Sequence, residues 1–531
     1  MNRNHGQQGG QIMKKSNLLI AITVFTLICT GIATPAAARG AIGFAPAPEA
    51  KLARDLAETI RSGGEMRVIV THTPDFAGRD IAGLSAQGSR VLRTFPRGGA
   101  FAATMTSSEI LDLASDPRIL SVSPDRKVQS AMDMGVPAVG ADRIGEHTGL
   151  TGQDVTVALI DSGLTPSDAV SPSRILASVD FVNLEGRSNG HDGFGHGTHI
   201  ASIIGGSGEN GAVRGVAPGV NFVSLRVLDD NGEGHVSDVI AAIDWTIEHH
   251  HEFRIRILNI SLGHPPAESY RTDPLTLAVA RAWSSGLTVI VSAGNRGRSV
   301  PVNHFTINSP GNSPYVLTVG AMNDLNTEVR ADDVITTYSS RGPSFGDFVL
   351  KPDVVAPGNR IVSQLAPGAT VADLHPESVI GLDRIELSGT SMATGFVSGI
   401  AAILTEQNPL LTNDLIKTIL MVSAEGLAQD DPFAVGAGYV DAVRALAFTG
   451  PFPPVRFDSS SAIVNRTDKG FELQRAERLV PDFAKKDRNA AALWSDAALW
   501  SDAAQRRSTA RRRSGVTLRC GVTPHCGVTP H

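Results

Sequence analysis

A chain of 531 residues is long enough for two to four domains and a large buried core, which excludes a peptide hormone or a disulfide-held miniprotein. Its 47 Lys and Arg stand against 53 Asp and Glu, a net charge of -6, so no global basic field invites nucleic acid or an anionic membrane. With 42% hydrophobic residues, 19% charged residues, 54 Gly and 30 Pro, the composition is that of a soluble α/β protein with many loops, which excludes disorder throughout.

Near its start the chain carries Lys14-Lys15, an apolar run over 18–29 and then Ala36-Ala37-Ala38. Charge, apolar run and small residues in that order are those of a signal peptide, so residues 1–38 are expected to be removed near Ala38 and the protein exported to the periplasm or the medium. A membrane anchor is the alternative, but an apolar run of about 12 residues is short of the ~20 that span a bilayer. Met1 and Met13 both remain open as the start. Cys29, Cys520 and Cys526 are the three cysteines, so no disulfide framework, thiol nucleophile or thiolate zinc site lies between the first two.

Residues 39–130 form a first module. Strands are expected over 66–71, 89–95, 100–106 and 119–123, the middle two joined by Arg97-Gly98-Gly99. A helix is expected over 74–84, and a second, capped by Ser107 or Ser108, has Ile110, Leu111 and Ala114 on one face and stops at Asp116-Pro117. The order β-α-β-β-α-β is that of a ferredoxin-like α+β module, small for independent stability. Residues 131–450 then alternate strands (154–160, 221–228, 257–261, 287–292, 315–319) with helices. Val236, Val239, Ile240, Ile243 and Ile247 fall at helical spacing behind Ser237, and Asp273-Pro274 opens a helix that Gly286 closes. Such alternation predicts an α/β fold, a doubly wound, mostly parallel sheet with helices on both faces and a binding crevice at the carboxyl ends of its strands. Residues 451–531 begin with Pro451-Phe452-Pro453-Pro454, carry two Ala-Ala-Leu-Trp-Ser-Asp repeats over 491–502, and repeat Gly-Val-Thr over 515–531. They are expected to be a disordered tail that adds nothing to the sheet, the helices or the site.

Three blocks carry chemistry. An apolar strand delivers Asp161, followed by Ser162-Gly163; Asp192-Gly193-Phe194-Gly195-His196-Gly197-Thr198-His199 leads into an apolar helix; and Ser388-Gly389-Thr390-Ser391-Met392-Ala393 puts a serine in a tight turn opening the helix that runs to about Gln407. The N–H groups and positive end of that helix would stabilise negative charge beside Ser391. Singly each has a bland reading: Asp161 as a loop cap, His196 as a core histidine, Ser391 as an N-cap. Together, Asp, His and Ser in this order, each at a strand–helix junction, match a known catalytic triad.

At these blocks the chain resembles the subtilisin-like serine peptidases over nearly all of 131–450. Asp161-Ser162-Gly163, His196-Gly197-Thr198-His199 and Gly389-Thr390-Ser391-Met392-Ala393 are similar to that family's catalytic blocks, Ser292-Ala293-Gly294-Asn295 to its oxyanion block, and Val354-Val355-Ala356-Pro357-Gly358 to a further segment. Residues 50–128 resemble its inhibitory prodomain. The resemblance implies acyl transfer: Ser391 attacks a peptide carbonyl, His196 takes its proton, Asp161 holds the imidazole, and Asn295 with the Ser391 N–H binds the oxyanion. It also implies that Ser261-Leu262-Gly263 pairs with an extended substrate and that Ser292, Ala293 and Gly294 form the facing wall. No acidic residue stands at those positions, so an apolar side-chain preference is expected. Where the family commonly places a proline shortly after the serine, this chain has Thr394-Gly395, which predicts a looser first helical turn, by up to ~1 kcal/mol, with the reacting groups intact.

Competing motifs are weaker. Gly186-Arg187-Ser188-Asn189-Gly190 fits the esterase G-x-S-x-G string, but no apolar helix follows it. His249-His250-His251, and His196 with His199, lie outside His-Glu-x-x-His, so zinc chemistry is not expected. The Arg-rich stretch 506–513 is read as a solvated charged tail. The chemistry requires no cofactor. Calcium is common in the family, but no ligand set can be mapped, and the metal stays unknown. Expected partners are protein or peptide substrates and the prodomain as intramolecular inhibitor, without nucleic acid or a stable membrane span, in a monomer. A catalytically silent binding protein on the same fold is the alternative.

Overall fold

The structure is a computed structural model that describes residues 51–473 apart from 77, 87–88, 131–148, 183–189, 298–303, 326–332, 427–430, 449–458 and 468–469. The signal segment, residues 186–189 of the Gly186–Gly190 string, the proline-rich linker, the repeats and the Arg-rich stretch lie outside the described residues.

The first module follows the expected order. After a short helix α1 (Arg54–Thr59) come β1 (Glu65–His72), α2 (Gly78–Ala86), β2 (Arg90–Phe95), β3 (Ala100–Thr106), α3 (Ser107–Ser115) and β4 (Ile119–Pro124), in an antiparallel sheet of order β2-β3-β1-β4. Strand alternation gives the sheet two buried faces. Val68, Val70, Phe101, Ala103 and Met105 pack on Ile110 and Leu113 within the module, whereas Ile69, Phe95 and Ala102 face the main domain. The cap of α3 is Thr106 rather than Ser107 or Ser108. Glu109 stands three residues after Thr106, its N–H donates to Thr106 Oγ1 (3.4 Å), and its carboxylate accepts the Thr106 N–H (2.6 Å).

The main sheet is built from β6 (Thr156–Asp161), β7 (Ile175–Asp180), β8 (Asn221–Arg226), β10 (Ile255–Ile260), β12 (Thr288–Ser292), β13 (Leu317–Asn323) and β15 (Val354–Pro357). These run parallel in the order β7-β8-β6-β10-β12-β13-β15, with β14 (Val334–Ile335) antiparallel on the end of β13. Chain order reverses between β6 and β10, and a doubly wound sheet opens a crevice at such a point. Alternate residues divide the core. Val157, Leu159, Ile257 and Ile290 pack under α4 (His196–Gly205) and α7 (Thr390–Gln407). Ala158, Ile160, Leu258 and Val289 pack under α5 (Val236–His249) and α6 (Pro274–Ser284). The same second cluster takes in Ile69, Phe95 and Ala102, so the first module's sheet lies on α5 and α6.

Helices α4 and α7 meet where α7 has no side chain. A Cβ on Gly395 would stand 3.1 Å from Ile203, and one on Gly399 would stand 2.5 Å from Val216. The glycine expected to loosen the first turn thus lets the two helices that bear His196 and Ser391 approach closely, and α7 is continuous through it. The histidine run ends α5, with the His249 ring stacked on Trp245 (centroids 4.1 Å).

The boundary at residue 450 is corrected. Ser459, Ser461, Ala462 and Val464 are buried, and β19 (Val464–Thr467) pairs with β20 (Gly470–Leu473). Ser461 is part of a buried charge cluster: its hydroxyl donates to Asp353 and accepts from Lys417 Nζ (3.0 Å), while Lys351 Nζ lies 2.6 Å from Asp353. Composition alone could not reveal this, because a serine-rich stretch becomes core only where buried charges need hydroxyl partners. Burial, opposed by Asp353, pushes the Lys351 ammonium down to about 7. The cluster predicts that Ser461→Ala costs about 1–3 kcal/mol and that a chain ended at residue 450 loses more, whereas one ended after Leu473 keeps these contacts. Denaturant unfolding in a Ser391→Ala background should give the highest midpoint to the chain ended after Leu473, a lower one to Ser461→Ala and the lowest to the chain ended at residue 450; equal midpoints would show that the segment does not stabilise the domain.

Candidate active site

Asp161 is the last residue of β6, His196 the first residue of α4 and Ser391 the second residue of α7, and all three are buried. His196 Nδ1–H donates to Asp161 Oδ1 at 2.7 Å, and the Ser162 N–H donates to the same oxygen at 2.8 Å. The ring's other nitrogen, Nε2, has no hydrogen-bond partner among the described residues. The Ser391 hydroxyl instead donates to the Ser261 carbonyl at 2.9 Å, so the Ser–His bond expected from the sequence is not formed.

Asn295 follows β12 by three residues. Its Oδ1 accepts the Thr390 N–H (3.0 Å) and the Thr390 hydroxyl (3.1 Å), while Thr390 Oγ1 accepts the Gly294 N–H (3.0 Å). With the oxygen end fixed, the Asn295 Nδ2 group is left without a partner among the described residues, a buried donor suited to developing negative charge. Ser292 closes β12, Ala293 and Gly294 follow it, and Ala293 is held by its N–H to the Val319 carbonyl (2.9 Å). Ser261 joins β10 to β11 (Leu262–Gly263).

The cleft is filled. Strand β5 (Lys127–Ser130) lies antiparallel between β11 and β9 (Glu233–His235): Ser130 pairs with Leu262, Gln129 with Gly263, and Lys127 to Gln129 with His235 to Glu233. Residues 131–134, which follow this strand, lie outside the described residues.

A sequence profile described as the subtilase family (Peptidase_S8) matches residues 152–439. The chain belongs to the subtilase family. Serine protease AprX of Bacillus subtilis (strain 168) is 36% identical over 368 residues, 67% of this chain and 81% of the relative. Subtilisin E of the same strain is 31% identical over 368 residues, 68% of this chain and 84% of its own. Among solved structures, fervidolysin from Fervidobacterium pennivorans, a keratinolytic enzyme related to subtilisin, superposes with a TM-score of 0.59 at 20% identity. That match covers 74% of this chain and 62% of fervidolysin's, and at that identity it speaks for the fold alone. Subtilases are serine peptidases and need no cofactor for their chemistry. Among the described residues no three His, Cys, Asp or Glu side chains converge on a metal position, and the buried Asp353 is already matched by Lys351 and Lys417, so no calcium set can be assigned. No helix among the described residues is long and apolar enough to cross a membrane.

Residues around this subtilase histidine went unassigned in the sequence. Asp192, fully buried, accepts the Gly195 N–H (2.7 Å), the Thr198 N–H (2.7 Å) and the Ser162 hydroxyl (2.7 Å), tying the start of α4 to the end of β6. The signal was there in Asp192, three residues before Gly195, an acidic residue placed for the free N–H groups of a helix start. Burial works against the His196 imidazolium, but the charge of Asp161, its hydrogen bond and the charge of Asp192 together outweigh it and hold the pKa above its ordinary 6.5. His199 differs. Burial and the neighbouring His196 push it down to about 3, and its Nε2–H faces the Ile361 and Ile385 carbonyls at 3.1 and 3.2 Å. With His196 as the base, its neutral form is the working one and a raised pKa moves the acid limb upwards. The pH profile of kcat/KM is therefore expected to have its acid midpoint above 6.5, and Asp192→Asn to shift it down; a midpoint below this value would contradict the role of these charges.

Proposed function

We propose that this subtilase is an exported endopeptidase that uses Asp161, His196 and Ser391 as its triad, matures by cutting its own chain after strand β5, and is held inactive until then by residues 39–130. Ser391 Oγ attacks the peptide carbonyl as His196 Nε2 takes its proton. The carbonyl oxygen, now negative, is met by Asn295 Nδ2. Collapse breaks the C–N bond, His196 returns the proton to the leaving amine, and water then hydrolyses the ester by the same route in reverse. Asp161 keeps Nδ1 protonated and stabilises the imidazolium throughout.

The observation that carries this reading is β5 in the cleft. Its register with β11 runs from Gln129–Gly263 to Ser130–Leu262, towards Ser261, whose carbonyl accepts the Ser391 hydroxyl. The chain thus enters the site as an extended, substrate-like strand, and attachment to the domain gives the first cut a high effective concentration. Export is supported by the charged, apolar and small-residue order of residues 14–38.

Wild-type protein purified away from other proteases should acquire a new N terminus between residues 131 and 134, whereas Ser391→Ala should fold but keep residues 39–130 attached. Intact-mass spectrometry reads both. Maturation of Ser391→Ala at the wild-type rate would reject self-processing. Asn295→Ala should lower kcat by roughly 10²–10³ with little change in KM, a magnitude measured on oxyanion donors in a subtilisin rather than derived from this geometry. An unchanged kcat in a peptide assay would remove Asn295 from the site.

A further inference from the structure

Strand β5 is preceded by Arg126, whose backbone carbonyl accepts the Val236 N–H at 2.9 Å and so continues the line of the strand in the cleft. Its side chain is largely withdrawn from solvent. Arg126 Nη1 meets Glu268 Oε1 at 2.9 Å, with the side chains 10% and 7% exposed. Glu268 Oε2 accepts the Ser123 hydroxyl, also at 2.9 Å. Glu268 itself belongs to the main domain, five residues beyond Gly263 of the β11 strand that pairs with Ser130 and Gln129.

The two ends of this ion pair have different fates. If the chain is cut after β5, Arg126 and Ser123 leave with the first module, and Glu268 stays. What remains is a carboxylate at the far end of the peptide cleft, stripped of both its partners, at a fixed place in the register. A second carboxylate, Asp273, is near enough to disfavour charge on Glu268. Burial, then Asp273, against the pull of Arg126, pushes Glu268 up to about 7, which marks a group that gains from a cation beside it. The expected apolar preference concerned the walls near Ser391; this contact lies farther along the strand, and no motif in the sequence singled it out.

We propose that Glu268 is a specificity residue of the mature enzyme, forming a subsite that takes a basic side chain, Arg in preference to Lys, at the substrate position that Arg126 holds in the precursor. The proposal rests on the peptidase reading given above. Arg is favoured because its guanidinium can span both carboxylate oxygens once the Ser123 hydroxyl has left. Substrates are thus selected at two separated points, by side-chain fit beside Ser391 and by charge four residues before the position paired with Leu262. The precursor's own strand satisfies the second point.

The test uses enzyme matured from the full chain and peptides copying residues 123–136, with Arg, Gln or Glu at the position of Arg126. Each enzyme is scored by its own ratio of kcat/KM values, so overall activity cancels. Wild type is expected to prefer the Arg peptide over the Gln peptide by roughly tenfold, the worth of one charge-assisted hydrogen bond. Glu268→Gln should bring the ratio near one, and Glu268→Lys should reverse the order of the Arg and Glu peptides. Equal cleavage of the Arg and Gln peptides by wild type overturns the subsite even if no variant folds, as does a preference that survives in Glu268→Gln. Cleavage of none of the peptides by matured wild type rejects the peptidase reading, and the subsite falls with it.

Discussion

The fold is organised around one buried hydrogen bond, His196 Nδ1–H to Asp161 Oδ1. Placing a carboxylate and an imidazole together out of water is costly unless other groups complete their bonding. Here the completion comes from the chain immediately around them. Ser162 donates its N–H to Asp161 and its hydroxyl to Asp192, and accepts the Gly197 N–H, so β6 and α4 are joined by polar contacts that also fix the ring. The topology supplies the rest. β6 lies at the point where strand order reverses, so its carboxyl end faces the end of β10 and the start of α7 across one crevice. Gly395 and Gly399 then allow α7 to lie close to α4.

The first module is legible as a partner for this arrangement. Its sheet buries Ile69, Phe95 and Ala102 against α5 and α6, a face that an isolated module would leave in water. Ion pairs cross the same junction: Arg93 to Asp238 at 3.4 Å and Arg126 to Glu268 at 2.9 Å. Arg67 reaches Asp125 (2.7 Å), and the Asp125 carboxylate in turn accepts the N–H and hydroxyl of Ser237 at the start of α5 (2.8 and 2.7 Å). Burial pushes Asp238 up to about 6 despite Arg93, so this junction contains a carboxylate that is expensive to keep charged. The module and the domain therefore complete each other in both the apolar and the polar sense, and β5 carries the contact into the cleft.

Much of this could be read from residues alone, for identifiable reasons. Strands buried on both faces, such as β6 and β12, carry continuous apolar runs, and the functional residues follow them directly. The edge strand β7 was not anticipated, because its exposure alternates and Ile175-Leu176-Ala177-Ser178-Val179-Asp180 contains too few large apolar residues to stand out from a loop. Nor were the short strands β16 (Ile361–Gln364), β17 (Val379–Ile380) and β18 (Arg384–Leu387), which are held by pairing with one another rather than by length. The segment at 459–473 was misplaced in the tail because its value is polar: Ser461 completes a charge cluster whose members are far apart in sequence. Asp192 and Thr390 were quoted within motifs without a role: the place of Asp192 just before a helix start was a usable signal, whereas the contact by which Thr390 holds Asn295 has no spacing rule.

All of the proposed chemistry rests on Ser391 as a nucleophile activated by His196 and screened by the chain's own strand. A serine-reactive fluorophosphonate measures it most directly, with the labelled residue located by peptide mapping. Matured enzyme should label at Ser391, more slowly as His196 becomes protonated, and precursor with the cleft filled should label far more slowly at the same pH. Folded, matured protein that fails to label, or that labels at another serine, would contradict it.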